Sequence, residues 1–378
     1  MTVEAYLDNS ATTPPCKEAI DAMQEALGHL WGNPSSMHRY GLEAERLVSG
    51  CRAAVAGRLG CDPGEVHFTS GGTESNNLAL FGAANAQRRR GRRIVTSAVE
   101  HSSVAEAAKE LASRGFEVVF LKVDRTGRVP EAELAQAINR ETILVSLMAV
   151  NNEVGTLQPV EAMRRLVQAK QAPALVHVDA VQAFGKLPVQ PARMGADLLT
   201  VSSHKIHGPK GVGALYVRRG VRLLPLLYGG SQEGRLRPGT EPVPAIAGFA
   251  AAAQALPDPA QGLAYAGSLR DRLLQGLQGI EGVRVNSPPD ALPYVINLSV
   301  PGLQSETMLN FLSARGVYVS SGSACSKGQK SRVLKAMGLG EPEIAGALRV
   351  SLSRFTTWEE IDAFLYGLNE ACLTLARR

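Results

Sequence analysis

The sequence predicts an α/β fold: a large domain with a mostly parallel seven-stranded sheet covered by helices, plus a smaller α+β domain at the C-terminal end. Between about residues 60 and 220, short β-branched runs alternate with helical stretches, the pattern of a parallel or mixed sheet covered on both faces. Beyond about Pro257 that alternation gives way to a different mixture of helices and short strands. With 378 residues, 45% hydrophobic and 20% charged, the chain can bury a large core.

Taken in order, the seven strands are EVHFTS, RIVTS, EVVFL, TILVSLMAV, ALVHVD, DLLTVSS and VGALYV. Helical stretches such as TESNNLALFGAANAQ, SSVAEAAKELASRG, PEAELAQAIN and EAMRRLVQAKQ separate them. In such a sheet ligands gather at the carboxyl ends of the strands. The Pro-rich PDPAQG marks a boundary, followed by the helical AYAGSLRDRLLQGLQ, the short strands VRVN, YVINLSV, VYVS and LRVSLS, and a last helix from Thr357. The expected domains are therefore 15–256 and 257–378, joined by the N-terminal segment 1–14. Neither an internal repeat nor a low-complexity tract interrupts them.

Composition narrows the function classes. The N-terminus MTVEAYLDNSATTPP has no basic head followed by an apolar stretch, and no run approaches the roughly 18 apolar residues of a spanning helix, so a cytoplasmic protein without membrane contact is expected. Five cysteines (Cys16, Cys51, Cys61, Cys325 and Cys372) are scattered and never spaced C-x-x-C, which points neither to a disulfide framework nor to a metal site. The formal charge of +5 includes QRRRGRR at Gln87 to Arg93. No aromatics interleave with those arginines for base stacking, so a solvated helix end is expected and no direct nucleic acid.

Three stretches carry groups fit for chemistry. In HFTSGGTESNN a strand ends at Ser70-Gly71-Gly72-Thr73 and a helix follows at once, so free backbone N–H groups at Gly72 and Thr73 could hold a phosphate; a plain turn reads the same way. ALVHVDAVQAFGK ends a buried strand on Asp179, costly unless a cation or donor meets it; a pyridinium nitrogen would serve, and so would a helix cap. DLLTVSSHKIHGPKG runs a strand into Ser202, Ser203, His204 and Lys205. A lysine there can have its amine pKa depressed and form a Schiff base with a carbonyl cofactor. Phosphate turn, acid and lysine in that order match what pyridoxal 5'-phosphate demands.

With these residues in hand, the chain resembles the cysteine desulfurases of the NifS/IscS type, in the class V aminotransferase group of fold type I pyridoxal-phosphate enzymes. The likeness runs nearly end to end, through YLDNSATTP, GNPSSMHRYG, FTSGGTESNN, EHSSV, VNNEVGTLQPV, HVDAVQAFGK, SSHKIHGPKG, RPGTE, SSGSAC and SLSRFTT. It implies conversion of L-cysteine to L-alanine, with the sulfur taken up by Cys325 as a persulfide for delivery to iron–sulfur cluster assembly or tRNA thiolation.

The resemblance also implies roles for single residues. Lys205 would carry the cofactor as a Schiff base, Asp179 would pair with the pyridinium nitrogen and Gln182 would hydrogen-bond the phenolic oxygen. His101 would stack on the ring and move protons, its alternative being a helix cap. Gly72, Thr73, Ser202 and His204 would hold the phosphate. In a homodimer, Thr240 of RPGT would reach the phosphate bound by the neighbouring subunit. Arg354 of SLSRF would clamp the substrate carboxylate with help from Asn152, whereas Arg349 is expected to be structural. Cys325, set in SSGSACSKGQK with Lys327 and Lys330 behind it, would travel to attack the substrate's sulfur. The other four cysteines are expected to be small buried hydrophobes. Two departures stand out: SKGQKSRVLKAMGL is shorter than the extension in many relatives, which leaves room for a dedicated acceptor such as a tRNA-thiolation enzyme, and Pro242 replaces a frequent asparagine in the TEPVP turn.

Overall fold

The computed structural model describes residues 4–321 and 330–376. Strand β1 (Ala5–Tyr6) and helices α1 (Lys17–His29) and α2 (Arg39–Leu59) come first. The alternating region follows as β2 (Val66–Thr69), α3 (Gly72–Gln87), β3 (Arg93–Ser97), α4 (Ser102–Ser113), β4 (Glu117–Leu121), α5 (Glu131–Ala137), β5 (Thr142–Met148), α6 (Val160–Ala169), β6 (Leu175–Asp179), β7 (Leu198–Ser202) and β8 (Gly213–Val217). Then come α7 (Val243–Gln254), α8 (Pro259–Leu277), β9 (Arg284–Val285), β10 (Val295–Ser299), α9 (Ser305–Ser313), β11 (Val317–Tyr318), α10 (Arg332–Ala336), α11 (Glu341–Ala345), β12 (Ala347–Ser351) and α12 (Trp358–Thr374).

The expected seven strands form one sheet in the order β2-β8-β7-β6-β5-β3-β4. All neighbours run parallel except β8, which is antiparallel to both β2 and β7. Every residue of β5, β6, β7 and β8 is buried, which is why these strands read as near-continuous apolar runs, whereas the edge strand β4 keeps Glu117 and Phe120 exposed. Helix α7 is apolar on nearly every side because it is covered by the sheet and by α1 and α2. Its Phe249 meets Phe68 of β2 and Phe184 edge-on, with ring centroids 6.4 and 6.5 Å apart.

The C-terminal region is a three-stranded antiparallel sheet, β12-β10-β9, with α12 packed on α8 and α9. Here the pairing differs from a simple meander: β11 leaves that sheet and pairs in parallel with β1 at the opposite end of the sequence. Ser351 N–H donates to Leu7 O at 2.7 Å, so the N-terminal segment is stitched to β12 before it crosses to the large sheet. There Thr13 N–H and Oγ1 both donate to His204 O at 3.0 Å. That crossing brings Ser10 and Ala11 to the tips of β6 and β7. Among the described residues, no helix is long and apolar enough to span a membrane.

Candidate active site

The carboxyl ends of the central parallel strands open into a cavity of about 250 Å³. Asp179 closes β6 and is 5% exposed. Burial of a carboxylate demands donors. Two meet it: Asn76 Nδ2 of α3 donates to Oδ2 at 2.7 Å, and Val181 N–H donates to Oδ1 at 3.0 Å. Asn76 Nδ2 also donates to Ser103 Oγ at 2.8 Å, and Ser103 Oγ lies 2.8 Å from His101 Nδ1. A fixed relay thus runs from Asp179 to the imidazole.

His101 is found as the helix cap that was its alternative reading, and it also stands at the cavity. It caps α4, its Nδ1 accepting from Ser103 N–H at 3.2 Å, and it lines the cavity. With Nδ1 an acceptor, the hydrogen-bond network assigns the proton of the neutral ring to Nε2. Burial lowers the His101 pKa, Asp179 offsets part of this, and Lys205 and Arg332 lower it further. The ring is therefore neutral at physiological pH.

Beyond β7 the chain tightens into a single 3₁₀ turn, Ser203–Lys205, which lifts Lys205 off the strand tip. Lys205 Nζ donates to the carbonyls of Ser10 at 2.5 Å and Ala11 at 2.7 Å. The Ser10 carbonyl also accepts from Gln182 Nε2 at 3.0 Å. At the other end of the cavity α3 begins with Gly71 at φ +146°, a backbone that side chains avoid. A Cβ on Gly72 would come within 2.9 Å of Val181 Cγ2, so both glycines are needed where helix and strand tips meet.

Four buried oxygens beside this cavity have no hydrogen-bond partner among the described residues: Ser202 Oγ, Asn76 Oδ1, Glu100 Oε2 and Ser10 Oγ. Unpaired polar atoms of this kind call for a ligand. Ser202 Oγ, the N–H groups of Gly72 and Thr73 and the His204 ring suit a phosphate at a helix N-terminus. His204, held 3.2 Å from Thr12 Oγ1, has its pKa pushed down to about 4 by burial and by Lys205, and so offers a neutral ring. Lys210 lines a more open depression against Ser70, Gly71, Thr73 and Ser202 and adds positive charge at that end. The site accordingly fits pyridoxal 5'-phosphate: an amine at Lys205, a buried acid at Asp179 and an anion cradle at α3.

The two arginines change places relative to the sequence expectation. Arg354 does not line this cavity. Its guanidinium donates to Ala255 O, packs 4.7 Å from the Phe355 ring centre and borders a separate chamber of about 20 Å³. Arg349, taken from sequence as structural, lines the main cavity. It is 1% exposed, donates to Asp8 Oδ1 at 2.7 Å and to Asn152 O at 3.0 Å, and keeps a buried Nε without partner. The strand itself carried a signal for this: an arginine inside the buried run ALRVS is costly unless partners and a task await it.

Asn152 lines the cavity as expected. Thr240 is exposed and contributes nothing to it within this chain. Cys325 and Lys327 lie outside the described residues. The chain on either side is anchored at the cavity: Ser320 exchanges backbone hydrogen bonds with Arg349, and Ser331 Oγ donates to buried Glu153 Oε2 at 2.5 Å while capping α10. Of the other cysteines, Cys16 and Cys51 are buried and Cys61 and Cys372 only half-buried; burial pushes the thiols of Cys51 and Cys61 up to about 11 and 12. Such thiols stay protonated and inert.

Three groups in the cavity wall were given no role from the sequence, although Glu100 stands in EHSSV, Glu153 in VNNEVGTLQPV and Arg332 in SKGQKSRVLKAMGL. Glu100 is buried, accepts from Ser97 Oγ at 2.6 Å and Met148 N–H at 3.1 Å, and is pushed up to about 8 by burial, so it is protonated at neutral pH. Glu153 is raised by burial as well. Arg332 donates to Glu100 O at 3.4 Å. Their types are common on surfaces; burial against strand tips makes the two acids notable, while Arg332 stays exposed at the cavity's edge. Among the described residues, no group of three or more His, Cys, Asp and Glu side chains is placed to hold a metal.

Comparison with known proteins agrees with this geometry. The family model described as aminotransferase class-V matches residues 5–364. A relative named cysteine desulfurase IscS, from Methanosarcina thermophila, is 42% identical over 95% of this chain and 90% of its own. A solved NifS-like protein superposes with a TM-score of 0.93 at 40% identity, covering 99% of this chain and all of the other. A structure described as SspA in complex with cysteine gives 0.83 at 33% identity, over 93% of this chain and all of that one.

Proposed function

This chain belongs to the aminotransferase class-V family, and from that premise we propose how its main cavity works as a cysteine desulfurase, converting L-cysteine to L-alanine and passing the sulfur to Cys325 as a persulfide. The cofactor is pyridoxal 5'-phosphate, which supplies an aldehyde for amine chemistry and a ring that stores electrons. What supports the reading most is the meeting of Lys205, Asp179 and His101 in one cavity with a helix N-terminus and the unpartnered Ser202 Oγ.

The residues divide the work. Asp179, held ionised by Asn76 and Val181, would accept a hydrogen bond from the ring's N–H and so keep that ring cationic. Gly72, Thr73, Ser202 and His204 hold the phosphate. Lys205 Nζ would take the α-proton of L-cysteine, and His101 Nε2, in the same cavity, would pass protons on. Arg349, fixed by Asp8 and Asn152, is the better clamp for the substrate's carboxylate than Arg354, since it lines the cavity. The Cys325 thiolate attacks the substrate's sulfur. A sulfur–sulfur bond forms as the carbon–sulfur bond breaks, the electron pair stays with carbon, and protonation of that carbon yields alanine. The persulfide then serves a protein acceptor, an iron–sulfur scaffold or a tRNA-thiolation enzyme. In the cytoplasmic homodimer inferred with this reading, Thr240 completes the neighbouring subunit's phosphate site.

Purified protein given L-cysteine and a reductant should release alanine and sulfide. Lys205→Ala should lose the cofactor's visible absorbance band and at least about 10³-fold of turnover. Cys325→Ala should keep the band and lose sulfide release. A parent protein that stays colourless with the cofactor, or a Cys325→Ala variant that releases sulfide at the original rate, overturns the reading.

A further inference from the structure

A second lysine lies behind the site and none of the chemistry above uses it. Lys186 is 7% exposed, and its Nζ donates to Gln182 Oε1 at 3.0 Å from one helical turn away. Gly185, at φ +78°, turns the chain to put it there; a Cβ at that position would meet Ile206 and Leu256 at 2.8 Å. The chamber that Lys186 borders is also lined by Lys205, His207 and Arg354, and no carboxylate is among the residues lining it. A buried amine surrounded by cations is costly, and burial, Lys205 and Arg349 together pull its pKa down to about 7. Such a group is not explained by packing.

We infer that Lys186 is a positioning residue whose amine fixes the orientation of the Gln182 amide, so that the amide's N–H end, and never its oxygen, is presented to the cofactor's phenolic oxygen. The reason lies in the shape of an amide. Its oxygen and nitrogen ends are nearly interchangeable in size, so only the partners decide which way it points. In its ammonium form Lys186 only donates and therefore takes Oε1, whereas the neutral amine that gains ground above about pH 7 can also accept. The carbonyl of Ser10 only accepts and takes Nε2. The NH₂ group has two hydrogens, and the second remains for a phenolate. Lys186, Gln182, Ser10 and Lys205 thus form one bonded row, in which the Ser10 carbonyl holds the NH₂ end and the Lys186 amine holds the oxygen end of the same amide.

This inference rests on Gln182 being the partner of the phenolic oxygen, and the experiment separates the two ideas. The readout is the pH titration of the bound cofactor's absorbance band in the holoenzyme, with thermal melting as the check on folding. A donor to the phenolate stabilises the deprotonated form, so Gln182→Ala should raise the band's apparent pKa, by about one unit for one hydrogen bond. Lys186→Met should raise it similarly in the parent, much less in the Gln182→Ala background, and should melt no lower than the parent because it removes a buried charge. Lys186→Arg, still a pure donor, should titrate like the parent. An unmoved band in Gln182→Ala sinks the reading of Gln182. A shift for Lys186→Met that is absent, or equal in both backgrounds, sinks the inference, since the amine would then act as a remote charge or not at all.

Discussion

Two chambers share Lys205 as a wall and are otherwise opposites. The main one, about 250 Å³, gathers Asp179, Glu100 and Glu153 with several unpartnered oxygens; the one behind it, about 20 Å³, is bordered by Lys186, His207 and Arg354 among Tyr294, Leu256 and Leu352. In the main chamber the acids and orphaned acceptors stand beside Arg332 and Arg349, while in the smaller one Lys186, Arg354 and a neutral His207 sit in an apolar lining without an acid, so residue type alone does not assign a role. Arginine occurs in both chambers, five positions apart along one strand and the turn that follows it. The one that lines the main cavity is chosen by strand pairing.

The comparison can be broken most decisively through those arginines. Arg349→Ala should raise KM for L-cysteine about 10²-fold, the scale of a lost charge-assisted pair, whereas Arg354→Ala should leave KM within about twofold and lower the melting temperature. Steady-state kinetics on both variants decide it, and the reverse pattern would return Arg354 to the substrate. A smaller effect is expected from Ser202→Ala. Losing one neutral donor to the phosphate should weaken cofactor retention about tenfold, read by equilibrium dialysis of the bound cofactor, with little change in the apoprotein's melting. No change would mean that Ser202 Oγ faces nothing in the holoenzyme.

The smallest effects concern pH, and the two chambers should pull in opposite directions. Glu100 holds its proton in the folded state up to about pH 8 but releases it near its ordinary value of 4.5 when unfolded. Between those values the folded state binds more protons, so its contribution is lost as pH rises. His207 has its pKa pushed down to about 4 by burial, against 6.5 unfolded, so the unfolded state binds more protons in that window and stability is lost as pH falls. Urea midpoints across pH 4 to 9 should therefore show Glu100→Gln flattening the limb that falls as pH rises from about 4.5 to 8 and His207→Gln flattening part of the limb that falls as pH drops from about 6.5 to 4. Both limbs unchanged would mean that neither group is as buried as the fold places it.

Much of the site was legible because its signals are local. Asp179 ends an apolar run, Lys205 follows one, and Gly72 and Thr73 open a helix directly after a strand, so neighbouring residues suffice to mark them. His101 likewise follows a strand and a short turn and caps the next helix. What escaped notice depends on residues far away in sequence. Glu100 and Lys186 look like ordinary surface charges until distant elements bury them, and Arg349 looks like the discardable member of a pair until Asp8, 341 positions away, takes its guanidinium.

By itself the sequence determined the seven-stranded α/β architecture, the order of acid and lysine along it and the family resemblance, because near-continuous apolar runs, glycines at turns and short motifs are written within a few residues of one another. The tertiary structure decided which arginine enters the cavity, that the carbonyls of Ser10 and Ala11 receive Lys205, and that two acids and a second lysine lose water around it. Strand register and burial bring together groups hundreds of residues apart, and the cost of desolvating a charge exists only once those groups have met.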